Sequence, residues 1–158
     1  MRQEKWDERF LRLAREYSYW SKDPSTKVGA VIVRNVNRQV SQGYNGFAAD
    51  DPDLPEDYLD RPTKLSKIIH AEQNAIDWAN QDLDGCTLYT YPMQPCHICA
   101  EQHVIPAGIV RVVSLVPTWY HLERWQKSFE KSTKLFAEYN VELELYEQTF
   151  IYKNWKYT

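Results

Sequence analysis

Two short stretches of this chain carry residues that could do chemistry: His70-Ala71-Glu72 and, after 22 intervening residues, Pro95-Cys96-His97-Ile98-Cys99-Ala100. One histidine and two cysteines can hold a zinc ion by three protein bonds. The fourth tetrahedral position is then left for water, the arrangement of a catalytic rather than a structural site. Zinc held in this way lowers the pKa of its water toward ~7. Glu72 adds a carboxylate able to carry protons in both directions within a water-excluded site. Cys96 and Cys99 are three positions apart, so one helical turn brings both sulfurs to the same side. A helix N-terminus there favours thiolate over thiol. His70 and Glu72 are two apart, a spacing that shares no face on a regular helix. The sequence therefore predicts His70 at a cap or in an irregular first turn, with both side chains reaching one cavity.

The competing arrangement is a closed zinc site with a fourth protein ligand from His97, His103 or Cys86. His97 reads as outward-facing or capping, His103 as a hydrogen-bonded histidine and Cys86 as a small core residue at a strand start. A lone Cys-x-x-Cys is a weak signal. The combined H-x-E…P-C-x-x-C pattern is strong, and it resembles the general signature of zinc-dependent base deaminases.

Three further stretches narrow the match. They are Ser21-Lys22-Asp23-Pro24-Ser25-Thr26-Lys27-Val28-Gly29-Ala30, Gly43-Tyr44-Asn45-Gly46-Phe47 and Thr118-Trp119-Tyr120-His121. With them the chain resembles the deoxycytidylate (dCMP) deaminases of the cytidine deaminase-like superfamily over roughly residues 8 to 145. The resemblance implies a three-layer α/β/α fold around a mixed five-stranded sheet in order 2-1-3-4-5. It implies zinc-dependent hydrolysis of dCMP to dUMP and ammonia, supplying dUMP for thymidylate synthesis. Glu72 is then the catalytic acid and base, and His70, Cys96 and Cys99 are the ligands of one zinc.

The same resemblance places Asn45 on the deoxyribose hydroxyl or adjacent groups, the Ala71 N–H on the cytosine carbonyl, Val28 against the base and Tyr120 as an aromatic ring beside it. An Asn-Gly pair is also a common turn, and Tyr120 could equally pack at a helix start. The 21–27 loop offers hydroxyls, ammonium groups and backbone N–H groups to a phosphate, with Ser21 and Lys22 first and Thr26 and Lys27 behind them. Its plainer role is to end a helix in solvent. Members of the family are commonly homohexamers, activated by dCTP with Mg²⁺ and inhibited by dTTP. Their effector pocket lies near the turn that here is Gly43, Tyr44 and Gly46, beside a subunit boundary. No Cys-plus-His set follows Phe47, so a second, structural zinc is not expected.

The bulk properties agree with one domain over residues 1–158. Hydrophobic residues make up 43% and charged residues 26%, ordinary values for a globular protein. The net charge is -3 and no basic block occurs, which favours a small substrate over a nucleic acid. The three cysteines are an odd count, and the Cys-x-x-Cys pair suggests metal chemistry in a reducing compartment. No signal-peptide core and no run of about 18 apolar residues appear, so no membrane partner and a cytoplasmic location are expected.

Elements must position these groups. Apolar residues at 6, 10, 13, 14, 17 and 20 predict a helix over 6–20. Strands are predicted over 27–36 and 39–44, joined by a hairpin turn, then over 86–91, 109–116 and 141–146. Helices are predicted over 70–81, 95–106 and 119–139, with Trp119, Trp125, Phe129 and Phe136 of the last on its core face. The acidic, Pro-rich connection over 47–69 is long for a compact domain and is a candidate functional loop with room for a short helix. The stretch 146–158 is expected to dock on the body or on a neighbour. Two other functions compete: another base or nucleoside deaminase of the superfamily, and a non-catalytic zinc-binding interaction module. The second would have no use for Glu72.

Overall fold

The structure is a computed structural model that describes residues 2–152. Its elements are α1 (Arg2–Ser18), β1 (Gly29–Arg34), β2 (Arg38–Tyr44), α2 (Pro55–Leu59), α3 (Arg61–Lys67), α4 (Ala71–Asp77), β3 (Thr87–Tyr91), α5 (His97–Cys99), β4 (Arg111–Leu115), α6 (Trp119–Glu138) and β5 (Glu142–Tyr146). A π-helical turn (Ala100–Val104) follows α5, and a 3-10 turn (Gln148–Tyr152) follows β5.

The strands form one sheet in order β2-β1-β3-β4-β5, as the resemblance implied. β1 pairs antiparallel with β2 and β3, while β3, β4 and β5 run parallel. The apolar run of β1 is central and covered on both faces, which alternation along the strand makes possible. Val31 and Val33 pack with Phe10, Leu11 and Ala14 of α1. Ala30 and Ile32 pack on the opposite face with Ala71 and Ala75 of α4 and Phe129 and Phe136 of α6. Helices therefore lie on both sides of the sheet. No helix among the described residues is long and apolar enough to cross a membrane.

Two glycines let helices come down onto the sheet. A Cβ at Gly29 would sit 1.9 Å from the Ala14 carbonyl oxygen of α1. A Cβ at Gly43 would sit 2.6 Å from both the Ala71 carbonyl oxygen and the Ala75 nitrogen of α4. On the α1 face, buried Asp7 accepts from both terminal nitrogens of Arg111 at 2.8 Å and from the Tyr89 and Tyr146 hydroxyls at 2.7 Å. That network ties α1 to β3, β4 and β5.

Three features differ from the sequence reading, and a fourth agrees with it. The helix expected over 95–106 is a short α turn followed by a π-helical one, because the Ile105 N–H bonds the Ala100 carbonyl five residues back. The 47–69 connection holds two helices, α2 and α3, capped in succession by Leu54 and Asp60. Trp119, expected in the core, is 72% exposed at the first position of α6, whose buried residues are Phe129, Ser132 and Phe136, all in its second half. Phe150 and Ile151 dock on the body in the α1-side core; the rest of the C-terminal stretch, 153–158, lies outside the described residues.

Candidate active site

His70 is the N-cap of α4, with extended backbone (φ -70°, ψ 154°), and its carbonyl accepts the Asn74 N–H at 3.0 Å. Being off the helix frees its ring from the helical rotation that would have turned it away from Glu72. The chain just before it is pinned by a pair of bonds, Gly46 N–H to Ile69 O (3.1 Å) and Ile69 N–H to Gly46 O (2.8 Å). Cys96 is the N-cap of α5, and its sulfur accepts the Cys99 N–H at 3.4 Å.

These two caps bring the donors together. His70 Nδ1 lies 3.2 Å from Cys99 Sγ and 3.6 Å from Cys96 Sγ, and the three ligand atoms all fall within 4.8 Å of one another. Bond lengths of about 2.3 Å to sulfur and 2.0–2.1 Å to nitrogen give a tetrahedral N···S edge of about 3.6 Å, so the set fits zinc. Among the described residues His97, His103 and Cys86 do not join the group, and Cys86 is a fully buried core residue. His97 instead meets Ser128 Oγ of α6 through its backbone N–H (3.0 Å) and Nδ1 (2.9 Å).

The electrostatics agree. The Cys99 thiol and the His70 ring hydrogen-bond the Cys96 sulfur and push its pKa down to about 4. The Cys96 sulfur in turn raises His70 to about 9 and pushes Cys99 well up. Both sulfurs can become thiolates together only with a cation between them, and the donor set offers that cation a place. Glu72 is 4% exposed and lies next to this group without joining it. Burial raises its pKa, and the positive His70 ring pulls the other way.

Above the donors opens a cavity of about 620 Å³, a volume suited to a small organic ligand. His70, Ala71, Glu72 and Cys96 lie at its buried end, with Val28, Asn45, Met93 and Phe129 around them. Thr26 and Asp23 come from the loop after α1, and Arg61, Lys64, Leu65 and Ile68 from α3 and its C-cap. Arg124 and Trp125 come from α6. The 47–69 connection is thus a cavity wall. It is stitched in place by Phe47 stacked on Tyr58 (3.9 Å), by the Tyr58 hydroxyl donating to Asp53 (2.6 Å), and by Lys67 paired with Asp51 (3.1 Å) and Asp57 (2.8 Å).

Of the residues singled out from sequence for substrate, Thr26, Val28, Asn45 and Ala71 line the cavity. Asn45 is also a clamp: Oδ1 accepts the Val28 N–H and Nδ2 donates to the Thr26 carbonyl, both at 2.8 Å. Ser21, Lys22, Lys27 and Tyr120 lie outside the lining, each for a packing reason. Ser21 is buried and donates to the Asn45 carbonyl at 2.7 Å. Lys27 donates to the Ser21 carbonyl. Lys22 sits on the surface, 2.5 Å from Asp53. Tyr120 is 37% exposed and holds the Arg124 guanidinium over its ring at 5.0 Å. Gly43 serves α4 packing, Tyr44 is exposed and Gly46 holds the strand-like bridge; none of these lines the cavity.

Sequence reasoning missed Arg61, Lys64, Arg124 and the cavity role of Trp125. The helical spacing of Trp125 was visible but read as core. The three cations carry no local signal that separates them from other surface charges. Trp125 Nε1 is buried with no hydrogen-bond partner among the described residues.

The profile described as the cytidine and deoxycytidylate deaminase zinc-binding region matches residues 4–116. The chain belongs to this deaminase family. It is 40% identical over 142 residues to an uncharacterized deaminase of the luxG 3′ region of Aliivibrio fischeri, covering 88% of this chain and 92% of that one. It is 39% identical over 126 residues to the deoxycytidylate deaminase of Mus musculus, covering 75% and 68%. A solved dCMP deaminase of the cyanophage S-TIM5, in complex with dCMP and dUMP, superposes with a TM-score of 0.67 at 22% identity over 87% of this chain and 94% of that one. That likeness shows the shared fold.

Proposed function

We propose that this family member hydrolyses dCMP to dUMP and ammonia. The observation that carries this reading is the buried Glu72 carboxylate beside an open three-donor metal group at the closed end of a nucleotide-sized cavity. The deoxycytidylate deaminase of Mus musculus, at 39% identity, supports the choice of substrate.

His70 Nδ1, Cys96 Sγ and Cys99 Sγ would hold the zinc, which when bound makes a water at its open position acidic and nucleophilic near neutral pH. Glu72 takes the proton that this water loses and passes it to ring N3 as a C–O bond forms at C4. It then takes the proton of the new C4 hydroxyl and delivers it to the exocyclic amine; the C4–O bond becomes the carbonyl as the C4–N bond breaks and ammonia leaves. Burial suits Glu72 to both roles, since a carboxylate held out of bulk water can take a proton from one atom and return it to another. Val28 and Phe129 supply apolar surface for the pyrimidine, and the Asn45 clamp keeps Val28 in place.

The test is ammonia release from dCMP, dCTP, deoxycytidine and cytidine, with and without a chelator. Chelator-sensitive turnover with dCMP preferred is expected. No turnover of any of the four by zinc-loaded protein would shift the assignment to another base or to a binding module.

The family resemblance extends this reading to a homohexamer in a reducing, cytoplasmic setting, activated by dCTP with Mg²⁺ and inhibited by dTTP. The exposed rings of Trp20 and Tyr44, in edge contact at the Gly43–Gly46 turn, support a subunit contact there. Light scattering with and without dCTP, and kinetics at low dCMP, test both. A monomer with hyperbolic kinetics indifferent to dCTP rejects them.

A further inference from the structure

The rim of the cavity carries positive charge that no carboxylate among the described residues pairs with. Three cationic side chains line the wall: Arg61, Lys64 and Arg124. Lys64 is already engaged, with Nζ 3.1 Å from Asp23 Oδ1 and 3.2 Å from Ser25 Oγ, and both members of the pair are 7% exposed. Arg61 and Arg124 differ. Both are exposed at the rim, and neither takes part in an ion pair among the described residues. Arg124 rests on the Tyr120 ring, which orients the guanidinium without cancelling its charge.

The acids of the same cavity are accounted for elsewhere. Asp23 is neutralised by Lys64, and Glu72 lies at the closed end beside the metal donors. Two unneutralised guanidiniums therefore face one concavity on a chain whose net charge is -3. A guanidinium presents a planar fork of donors that matches phosphate oxygens in pairs, and a dianion between two such forks gains more than either gives alone.

We infer that Arg61 and Arg124 bind the 5′-phosphate of the nucleotide whose base lies against Glu72. Lys64 is a positioning residue: its bond to Asp23 holds α3 on the 21–27 loop and so sets Arg61 at the rim. The phosphate is thus read by α3 and α6 rather than by Lys22, which is turned outward to Asp53. This deepens the dCMP reading above and rests on it.

The test uses the zinc-loaded full chain with Arg61→Ala, Arg124→Ala, both together, and Lys22→Ala. Steady-state kinetics are taken with dCMP and with deoxycytidine. Thermal midpoints are recorded with dUMP, deoxyuridine and inorganic phosphate. A charge-assisted hydrogen bond lost from each arginine corresponds to a rise in KM for dCMP of about 10- to 100-fold, with a far smaller rise for deoxycytidine. The double variant should lose the extra thermal protection that dUMP gives over deoxyuridine, together with any protection by inorganic phosphate, while Lys22→Ala keeps both that protection and the dCMP preference.

Equal KM changes for the two substrates would overturn the inference. So would a collapse of preference in Lys22→Ala, or protection by dUMP that persists in the double variant or never exceeds that by deoxyuridine. If the wild-type protein deaminates neither compound, the dCMP reading falls by itself. The phosphate arm still decides the cradle, since protection by phosphate lost in the double variant upholds it and protection retained rejects it.

Discussion

Lys64 Nζ and Asp23 Oδ1 lie 3.1 Å apart with both side chains almost wholly buried, joining the long connection to the loop after α1 at the wall of the catalytic cavity. Asp23 also accepts the backbone N–H groups of Ser25 (2.8 Å) and Thr26 (3.3 Å), so the pair organises backbone as well as charge. Removing one partner leaves the other charged, buried and alone. Lys64→Met is expected to cost about 3–5 kcal/mol, against a smaller loss when Asp23→Asn is combined with it. Urea unfolding of both single variants and the double variant measures this, and additive losses would show that the two side chains do not act as a pair.

Glu72→Gln keeps the shape and removes the proton carrier. Turnover should fall by about 10²- to 10⁴-fold while zinc content by elemental analysis stays near one per chain. Near-wild-type turnover would remove Glu72 from the chemistry, and lost zinc would make it a metal-site support instead.

Gly43 has a packing task that its place near the Asn45 turn conceals. Its missing Cβ is the space into which α4 settles, 2.6 Å from two α4 backbone atoms. Backbone cannot rotate out of the way as a side chain can. Gly43→Ala should therefore cost at least about 1–3 kcal/mol and push α4, with His70 at its cap, off the cysteines. A lowered melting temperature together with weakened zinc retention is the expected pair of results. Loss of neither would show that β2 and α4 separate freely.

Asp7 gives the fold a dependence on acid. Burial would raise its pKa, but hydrogen bonds from Arg111, Gln3, Tyr146 and Tyr89 outweigh that and hold it below the usual 3.8. A carboxylate lowered in this way contributes its full stability above pH 3.8 and loses it as pH falls through the lower folded value. Asp7→Asn should be less stable than wild type by up to about 3–5 kcal/mol near neutral pH, because Arg111, largely buried, loses its buried carboxylate and keeps only the more exposed Glu142, 3.3 Å away. The gap should close as pH drops through that window. Chemical denaturation from pH 7 to pH 2 tests it, and a gap that stays constant would assign the loss to packing alone.

Much of the metal site was legible in the chain because its logic is local. A Cys-x-x-Cys turn places two sulfurs by helix geometry, and the two-residue spacing of His70 and Glu72 demanded a cap, which the extended φ and ψ of His70 supply. The order of strands and helices followed from periodicity, including the apolar run that became central β1. Local signals failed where bonding departs from the regular pattern. The π-helical turn after Cys99 depends on one hydrogen bond shifted by a residue, and nothing in Ala100–Val104 announces it.

What the sequence by itself determined is therefore the donor set, its spacing, the carboxylate beside it and the succession of elements that carries them, since each rests on contacts within a turn or on alternation along a strand. Tertiary structure alone decided which charges face the cavity. Lys22 and Lys64 are the same residue type, yet one is held at the surface by Asp53 and the other is buried against Asp23. Arg61 and Arg124 stand 63 positions apart in the chain and share one cavity. Their meeting depends on how the 47–69 connection folds back through Phe47, Tyr58 and Lys67 onto the body. Such long-range packing leaves no period in the sequence, because a side chain's neighbours across a cavity are fixed by the whole fold and not by the residues beside it.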